Sequence, residues 1–342
     1  MNIETKNKPK GRAPEEWLQK STFNAKTFSI VIVLAVVLSF SAKNVELDKL
    51  CNMAGDWLYG LVVASDEAPT GRGISGFLSD MFPPQISDAQ EISRVENLDR
   101  DNLPFFSYIE MKEVKDFTLD PDTFEMIETV GTEEYLIRPM GYLQIVGVKM
   151  LETLEIGLWG TILAILLSIP LTIWSARNYS PNFLTYSSAR SVVSLFRAIP
   201  ELISALILVI AFGFGPIPGI LALGIHCAGF LGKFYAEDIE NADKGPQDAL
   251  FAIGASPLKV LWVSVLPQVF PQYIAYTLYI LDRNVRMAAV VGIVGAGGIG
   301  LELKGRFEMF HYAHVGTILM VLFITVLILD QFSAGIRKKL IA

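Results

Sequence analysis

Residues 235–271 read YAEDIENADKGPQDALFAIGASPLKVLWVSVLPQVFP and form the one long polar interruption between apolar segments in the C-terminal half of the chain. Their pattern predicts a short helix, a glycine hinge at Gly254-Ala-Ser-Pro257, a second short helix and then Leu266-Pro267, because glycine and proline punctuate helical periodicity. Pro267 and Pro271 would start the fifth helix, where a backbone donor is not needed. Taken alone, two short amphipathic helices could be a simple connection. They could also form a surface that another protein holds, and the rest of the chain favours this second interpretation.

The composition is that of an integral membrane protein. Of the 342 residues, 52% are hydrophobic and only 18% are charged, and the mean hydropathy is +0.43. These values are too apolar for an ordinary soluble domain. Two cysteines are too few for a disulfide framework, and the three scattered histidines show no metal-ligand spacing, so we expect no metal site.

Apolar runs predict six transmembrane helices, of which the fifth contains Asp282, Arg283 and Arg286. The first run follows a basic start and ends in small residues, so a cleavable signal peptide is an alternative for it. The predicted spans are residues 28–42, 158–174, 192–212, 220–234, 273–294 and 315–329.

Charge predicts how the chain is divided and oriented. Residues 1–27 form a basic tail, residue 28 begins the first span, and residues 43–150 form an acidic water-facing insert with about twenty Asp and Glu against about nine Lys and Arg. Residues 151–342 form the membrane core with the other five spans and the polar loop 236–268. Because basic segments stay inside, we expect both termini and this loop in the cytoplasm and the insert outside.

The acidic insert allows two interpretations. It could be a solvated surface only, or it could dock a soluble partner. Residues 116–134 are predicted to be partly irregular, whereas residues 135–138 and 142–145 could be short strands or helix starts.

Charged residues within the spans must face protein or water, because ionised groups are costly in hydrocarbon. Arg197 and Glu201 stand four positions apart around Pro200, which predicts a mutual ion pair, or a pairing that changes between transport states. Arg283 and Arg286 would line a path for an anionic cargo, or would instead neutralise acids near the cytoplasmic face.

The run Gly295-Ala-Gly297-Gly298-Ile-Gly300 matches the spacing of a dinucleotide fingerprint. That fingerprint requires a strand before it and a helix after it, and here it follows a membrane span. Four glycines instead suit a bend, a gate or a close contact with a second copy. The sequence has no phosphate-binding P-loop motif, so energy for any driven transport would come from a partner.

The polar loop resembles the signature of the permease subunits of bacterial ABC importers, E-A-A-x3-G-x9-I-x-L-P. It reads Asp248-Ala249-Leu250, then Gly254 followed by Ala255, then Leu266-Pro267; Asp, Leu and Ser264 replace Glu, the second Ala and Ile. A wider likeness to the phosphonate importer branch covers the chain from Glu152 onwards. It is carried by residues 197–201, 213–216, 231–237, 266–271, 276–279, 284–286 and 292–300, with a weaker match at residues 81–84.

This resemblance implies an all-α integral membrane protein with six transmembrane helices of the type I, methionine-importer-like permease fold, and with an extracytoplasmic insert between helices 1 and 2. About sixty residues between Pro84 and Leu151 would be an addition relative to shorter members of the branch. The implied location is the bacterial inner membrane, in contact with lipid and without nucleic acid.

The resemblance also implies partners. Two permease copies would form the pathway, two ABC ATPases holding ATP and Mg would dock at the loop, and an extracytoplasmic binding protein would deliver phosphonate, phosphite, hypophosphite or phosphate. The chain itself would hold no cofactor and would not be an enzyme. The insert would contact the binding protein or shield the outer mouth, because an acidic surface repels an anionic cargo.

Three alternatives remain at this point. The chain could be an ABC permease for another small solute such as methionine, an ion-coupled secondary transporter, or a membrane-anchored sensor whose insert binds a ligand. Neither of the last two explains the spacing from Gly254 to Pro267.

Overall fold

The computed structural model describes residues 25–63, 76–95, 100, 103–104, 106–119 and 126–341. It divides into two units, residues 1–77 and 78–342. Most of the predicted basic tail lies outside the described residues.

The first unit contains two helices, α1 (Ala25–Asn44) and α2 (Leu47–Val63). They are bent by 73° at a break where Glu46 has a φ of 53°. Helix α1 matches the predicted first apolar run. Helix α2 lies inside the predicted insert and was not expected.

The insert contributes a three-stranded antiparallel sheet, so the prediction of an all-α chain is wrong for this segment. Its strands are β1 (Asp88–Glu91), β2 (Tyr108–Leu119) and β3 (Met126–Arg138), in the order β1-β3-β2. In the β2–β3 hairpin Lys112 stands opposite Glu133, and such cross-strand pairs of opposite charge stabilise a sheet.

The described parts of the acidic run 116–134 therefore lie in strands, not in irregular structure. Both alternatives left open for the two neighbouring motifs occur. Residues 135–138 end β3, and residues 142–145 form the first turns of the next helix.

The remaining helices of the second unit follow in order, with a five-residue π-helical turn, Leu261–Val265, between α8 and α9. They are α3 (Gly141–Ser175), α4 (Phe183–Ala198), α5 (Glu201–Phe212), α6 (Pro216–Asn241), α7 (Lys244–Ala252), α8 (Pro257–Val260), α9 (Leu266–Gly292), α10 (Gly298–Glu308) and α11 (Tyr312–Ile341).

Three single helices of the described chain, α3, α6 and α11, are long and apolar enough to cross a membrane. The bent pairs α1–α2 and α4–α5 raise the number to five if each pair is one span, against the six predicted. Helix α9 falls outside this test although it has 27 residues, and it carries Asp282, Arg283 and Arg286.

The predicted continuous span 192–212 is wrong, because it is broken at Ile199-Pro200. Helices α4 and α5 meet there at 87°. Proline lacks the N–H that would continue the helical ladder, and it pushes the residue before it into an extended conformation. Ile199 accordingly has φ −86° and ψ 119°.

Small residues allow the helices at the centre to approach closely. A Cβ at Gly157 in α3 would lie 2.8 Å from Val285 of α9, and a Cβ at Gly224 in α6 would lie 2.6 Å from Leu163 of α3. Such glycine contacts are common between membrane helices. They bring α3, α6 and α9 together near the buried polar residues Thr161, His226 and Asn284.

The base of the sheet is bonded to the N-terminal ends of α3 and α11. The Tyr142 N–H donates to the Ile86 carbonyl (3.1 Å), and the Thr317 hydroxyl donates to the Gln85 carbonyl (2.6 Å). Arg138 at the end of β3 forms an ion pair with Asp88 of β1. The sheet is thus fixed to the ends of two long helices.

Candidate functional site

The break between α4 and α5 exposes a backbone carbonyl that a histidine of α6 satisfies. The Ile199 oxygen would normally accept from Ile203, but the Ile203 N–H bonds to Pro200 instead (3.1 Å). His226 Nδ1 lies 3.0 Å from the Ile199 oxygen and fills this gap. The bend between α4 and α5 is therefore stabilised by a specific side chain of α6.

Glu201, the first residue of α5, forms the centre of an ion-pair network. Its carboxylate lies 2.6 Å from Arg283 of α9 and 3.1 Å from His226 Nε2. The Glu201 side chain is 12% exposed. The predicted pair between Arg197 and Glu201 is wrong, because the bend at Pro200 ends the helical register that would have placed both on one face.

The network continues through neutral groups into α3. Arg283 also contacts the Cys227 sulfur (3.4 Å), and Cys227 donates to the Asn284 side-chain oxygen (3.0 Å). Asn284 in turn donates to the Thr161 hydroxyl (3.0 Å). We call these residues the central polar cluster: Thr161, Glu201, His226, Cys227, Arg283 and Asn284.

Buried polar networks of this kind hold their members in one arrangement when every group has a partner. This one ties α3, α5, α6 and α9 together. Sequence reasoning missed Thr161, His226, Cys227 and Asn284 as a group, although polar residues inside apolar spans are a signal that could have found them.

Arg197 lies beside the central polar cluster but is not bonded to it. Its stem packs on Gly229 of α6, where a Cβ would come within 2.8 Å of the Arg197 Cγ, and its guanidinium lies over the Phe230 ring at 4.9 Å. Arg283 lies over the same ring at 5.4 Å. Within the described residues, Arg197 Nε is buried and has no hydrogen-bond partner.

Arg286 is separate from this arrangement. It pairs with Asp282 one turn earlier in α9, at 2.6 Å. The alternative in which Arg283 and Arg286 neutralise acids near the end of α6 is wrong. Arg190 of α4 does so instead, with 3.0 Å to Glu240.

The glycine-rich run forms the tight turn between α9 and α10. Gly295, Gly297 and Gly298 all have positive φ, which glycine adopts without strain. A Cβ at Gly300 would collide with the Ala289 carbonyl oxygen of α9. The turn thus packs within its own chain, and its part in a gate stays a prediction.

The start of α10 is capped by side chains of α3. Glu152 accepts from the Gly298 N–H (3.0 Å), and Thr153 accepts from the Ile299 N–H (2.7 Å). Lys149 contacts the other oxygen of Glu152 at 2.7 Å. These bonds satisfy N–H groups that a helix N-terminus leaves free.

The connector, which we define as residues 242–265, lies within the predicted polar loop 236–268 and contains the predicted helix, glycine hinge and helix. Asp248, Ala249 and Leu250 lie in α7. At its end the Gly254 N–H donates to Phe251 (2.9 Å) and the Ala255 N–H to Leu250 (3.1 Å), with Gly254 at φ 83°. This is a Schellman cap, which explains why glycine stands at the hinge.

The prediction that Pro267 and Pro271 start the fifth helix is confirmed for Pro267 and wrong for Pro271. Pro267 occupies the first turn of α9, where a missing N–H costs nothing, and the chain is helical without interruption from Pro257 to Gly292. Pro271 lies inside α9 and not at its start. The connector is thus joined end to end with the helix that carries Arg283.

Side-chain bonds anchor α7 to the membrane core. Gln268 of α9 accepts from the Asp243 N–H (3.0 Å), and buried Gln247 accepts from the Tyr179 hydroxyl (3.4 Å). Burial raises the pKa of Tyr179 above its ordinary value, so this hydroxyl keeps its proton. A force applied to α7 would therefore reach α9 and the end of α3.

The connector exposes apolar side chains that no described residue covers. Ile253 is 80% exposed, Leu258 64% and Phe251 46%. Exposed apolar groups clustered on one segment mark interaction sites more often than solvated loops.

Comparison with known proteins shows which protein family shares these features. Residues 168–333 match the family described as binding-protein-dependent transport system inner membrane component. The chain is 56% identical over 261 residues to the putative phosphite transport system permease protein HtxE of Stutzerimonas stutzeri, covering 76% of this chain and all of that protein.

A second relative is the phosphite transport system permease protein PtxC of Stutzerimonas stutzeri, 43% identical over 189 residues, which are 55% of this chain and 69% of that protein. The match with HtxE is longer than the part of the chain from Glu152 onwards. Similarity to HtxE therefore includes residues before Glu152, so part of the predicted addition is shared.

Among solved structures, the chain resembles an inward-facing MetNI methionine ABC transporter, with a TM-score of 0.51 and 21% identity over 58% of this chain and 97% of that one. An amino acid ABC transporter gives a TM-score of 0.50 at 15% identity, over 58% and 95% of the two chains. These likenesses show the fold.

Proposed function

The chain belongs to the permease subunits of binding-protein-dependent ABC transport systems, and from that premise we propose that it carries phosphite or a related phosphorus oxyanion across the inner membrane. The relatives named for phosphite transport support this cargo class. Phosphonate, hypophosphite and phosphate belong to the same class, since each presents tetrahedral phosphorus with anionic oxygens.

The observation that carries the proposal is the connector. A helix capped at Gly254, with exposed Ile253 and Leu258 beside it, gives an ABC ATPase an apolar surface to hold. Because α8, the π-helical turn and α9 form one helical path, movement of a bound ATPase would be passed to α9. ATP and Mg would bind only to the partner.

The orientation proposed for the chain places both termini and the connector in the cytoplasm and the sheet outside, with six crossings if α9 is one of them. A second copy would complete the pathway, and each copy would hold one ATPase. The exposed apolar face of α5 supports this, with Ile203, Ile207 and Ile210 exposed in the single chain.

The residues proposed to line or gate the path lie near the broken helix and at the α9–α10 turn. Glu201 would stay neutralised by Arg283 and so would not repel an anion. The full set is Arg197, Glu201, Arg286, Gly295, Gly297, Gly298 and Gly300.

The sheet is proposed to contact the extracytoplasmic binding protein. Replacing residues 113–132 by Asn-Gly would join Lys112 to Glu133, which are paired across the hairpin, and would keep the bonded base of the sheet. Binding protein should then stimulate ATP hydrolysis less than in the wild type. Unchanged stimulation and uptake would reject this role.

The proposed function is tested with the complete transporter in proteoliposomes. We expect ATP-dependent accumulation of phosphite by the wild-type transporter. The purified Ile253→Asp variant should retain at least tenfold less ATPase subunit than the wild type. Met111→Asp is the matched control, because Met111 is 69% exposed on β2, away from the connector. Uptake driven by an ion gradient without ATP would contradict the proposal.

A further inference from the structure

Three arginines lie in the membrane core near the broken helix and α9, and they differ in how their charge is balanced. Arg283 is paired with Glu201 and Arg286 with Asp282, both at 2.6 Å. Among the residues that the structure describes, no carboxylate lies within ion-pair distance of Arg197. Arg197 is thus the one of the three with a charge left to offer.

The Arg197 side chain is held in place although it has no counter-charge. The absence of a Cβ at Gly229 leaves room for its stem, and the Phe230 ring supports its guanidinium. A planar guanidinium stacked on an aromatic ring loses little freedom when it binds an anion with its remaining N–H groups. Its Nε is already buried and without a partner.

Leaving the buried Nε of Arg197 without a hydrogen-bond partner is costly, so a reason for it must be sought in a partner. The position of Arg197 in the last turn of α4 offers part of that reason, since the carbonyl end of a helix attracts a cation. This attraction to the helix end does not explain why the guanidinium stacks on Phe230 or why Gly229 leaves room for the stem.

We propose that Arg197 binds the phosphorus oxyanion directly as the anion passes the break between α4 and α5. This rests on the proposed function and names the residue that contacts its cargo. A guanidinium forms two parallel hydrogen bonds with two oxygens of a phosphoryl group. Membrane transporters commonly bind substrates at such interrupted helices.

The surroundings of Arg197 suit an anion. Glu201, the nearest acid along the chain, is paired with Arg283, so its negative charge is offset. The break itself lies at the surface of the single chain, with Ala198, Ile199 and Pro200 exposed. An anion between two copies would reach Arg197 from that side.

The test compares variants of the complete transporter, with its ATPase and binding protein, using phosphite as the probe. Arg197→Gln should lower phosphite uptake at least tenfold, because it removes the charge-assisted hydrogen bonds to the anion. ATP hydrolysis stimulated by the binding protein should stay within about twofold of wild type. Arg197→Lys should give intermediate uptake.

Lys233→Gln is the control for loss of one cation. Lys233 lies one turn after Gly229 in α6 and is paired with Glu237 at 3.6 Å. Phosphite uptake by Lys233→Gln should therefore stay at the wild-type level. Normal uptake by Arg197→Gln would overturn the inference. So would an equal loss of uptake and of ATP hydrolysis, because that result would mean a purely structural role.

If Arg197→Gln does not assemble, Arg197→Lys becomes the deciding variant. Uptake at least threefold below wild type in an assembled Arg197→Lys complex supports the inference, and wild-type uptake overturns it. A wild-type transporter that carries neither phosphite nor phosphonate, hypophosphite or phosphate would refute the proposed function itself, which separates the two failures.

Discussion

Glu201 shows how one residue joins separate elements. Its carboxylate connects α5 to both α6 and α9, and removal of either partner of a buried ion pair leaves the other charge uncompensated. The stability of the membrane core should therefore depend on Glu201 and Arg283 as a pair.

We expect Glu201→Gln to lower the thermal unfolding midpoint of the purified protein, because breaking a buried pair costs roughly 3–5 kcal/mol. Adding Arg283→Gln should recover part of the loss, since no unpaired charge then remains. The midpoints of both single variants and of the double variant provide the measurement. Additive losses would show that the two side chains are not coupled.

Two glycines of α10 differ in the space around them. A Cβ at Gly300 meets the Ala289 carbonyl oxygen, whereas a Cβ at Gly305 meets nothing within 4 Å. Gly300→Ala should prevent a stable fold, and Gly305→Ala should leave the yield of folded protein unchanged or raise it, because alanine favours a helix over glycine. Size-exclusion profiles of both variants test this, and equal yields would contradict the packing described for the α9–α10 turn.

The sequence showed which residues in the membrane core are charged, but it did not show which residues they pair with. Arg197 and Glu201 have the spacing of an ion pair on one helix face, and that spacing has no meaning across an 87° bend. Partners such as His226 and Arg283 are distant in sequence. Only the close approach of α6 and α9, which small residues permit, brings them to Glu201.

At the scale of the element, the connector is a capped helix joined to a long one. Gly254 follows Ile253, the C-cap residue of α7, and has a left-handed conformation that costs other residues about 1–2 kcal/mol. Its substitution should weaken the cap without touching the helices on either side, since a Cβ there meets no atom within 4 Å.

Gly254→Ala should accordingly reduce ATP-dependent phosphite uptake several-fold, with less effect on the amount of permease in the membrane. Gly245→Ala is the matched control within α7, because its Cβ would have ordinary contacts, 3.7 Å from Asp243 at the nearest. Uptake rates normalised to protein in the membrane are the measurement. Equal effects of the two substitutions would remove the special role of the cap.

Helices and strands could be predicted from the sequence where a single hydrophobic periodicity dominated. The helices of the connector and the long apolar helices α3, α6 and α11 were expected and are present. The β2–β3 hairpin was not, because its frequent acidic residues concealed the strand propensity of its tyrosine, isoleucine and valine residues. The π-helical turn before Pro267 leaves no trace in hydropathy.

At the scale of the whole molecule, helix α9 joins the connector to the central polar cluster. Helix α9 begins where the connector ends and carries Arg283 further along. Arg283 pairs with Glu201, the first residue after the break between α4 and α5. An ATPase acting on the connector would thus act on the broken helix beside Arg197. This claim requires the connector to face the cytoplasm.

Labelling from the two sides of the membrane tests this requirement most directly. Ile253→Cys and Met111→Cys, each made in a Cys51→Ser background because Cys51 is exposed, would be treated with a membrane-impermeant thiol reagent. The remaining cysteine, Cys227, is buried.

Ile253→Cys should react only in inside-out vesicles, and bound ATPase should protect it there. Met111→Cys should react only from the outer surface. Labelling of Ile253→Cys from the outer surface, or equal labelling with and without the ATPase, would contradict the account.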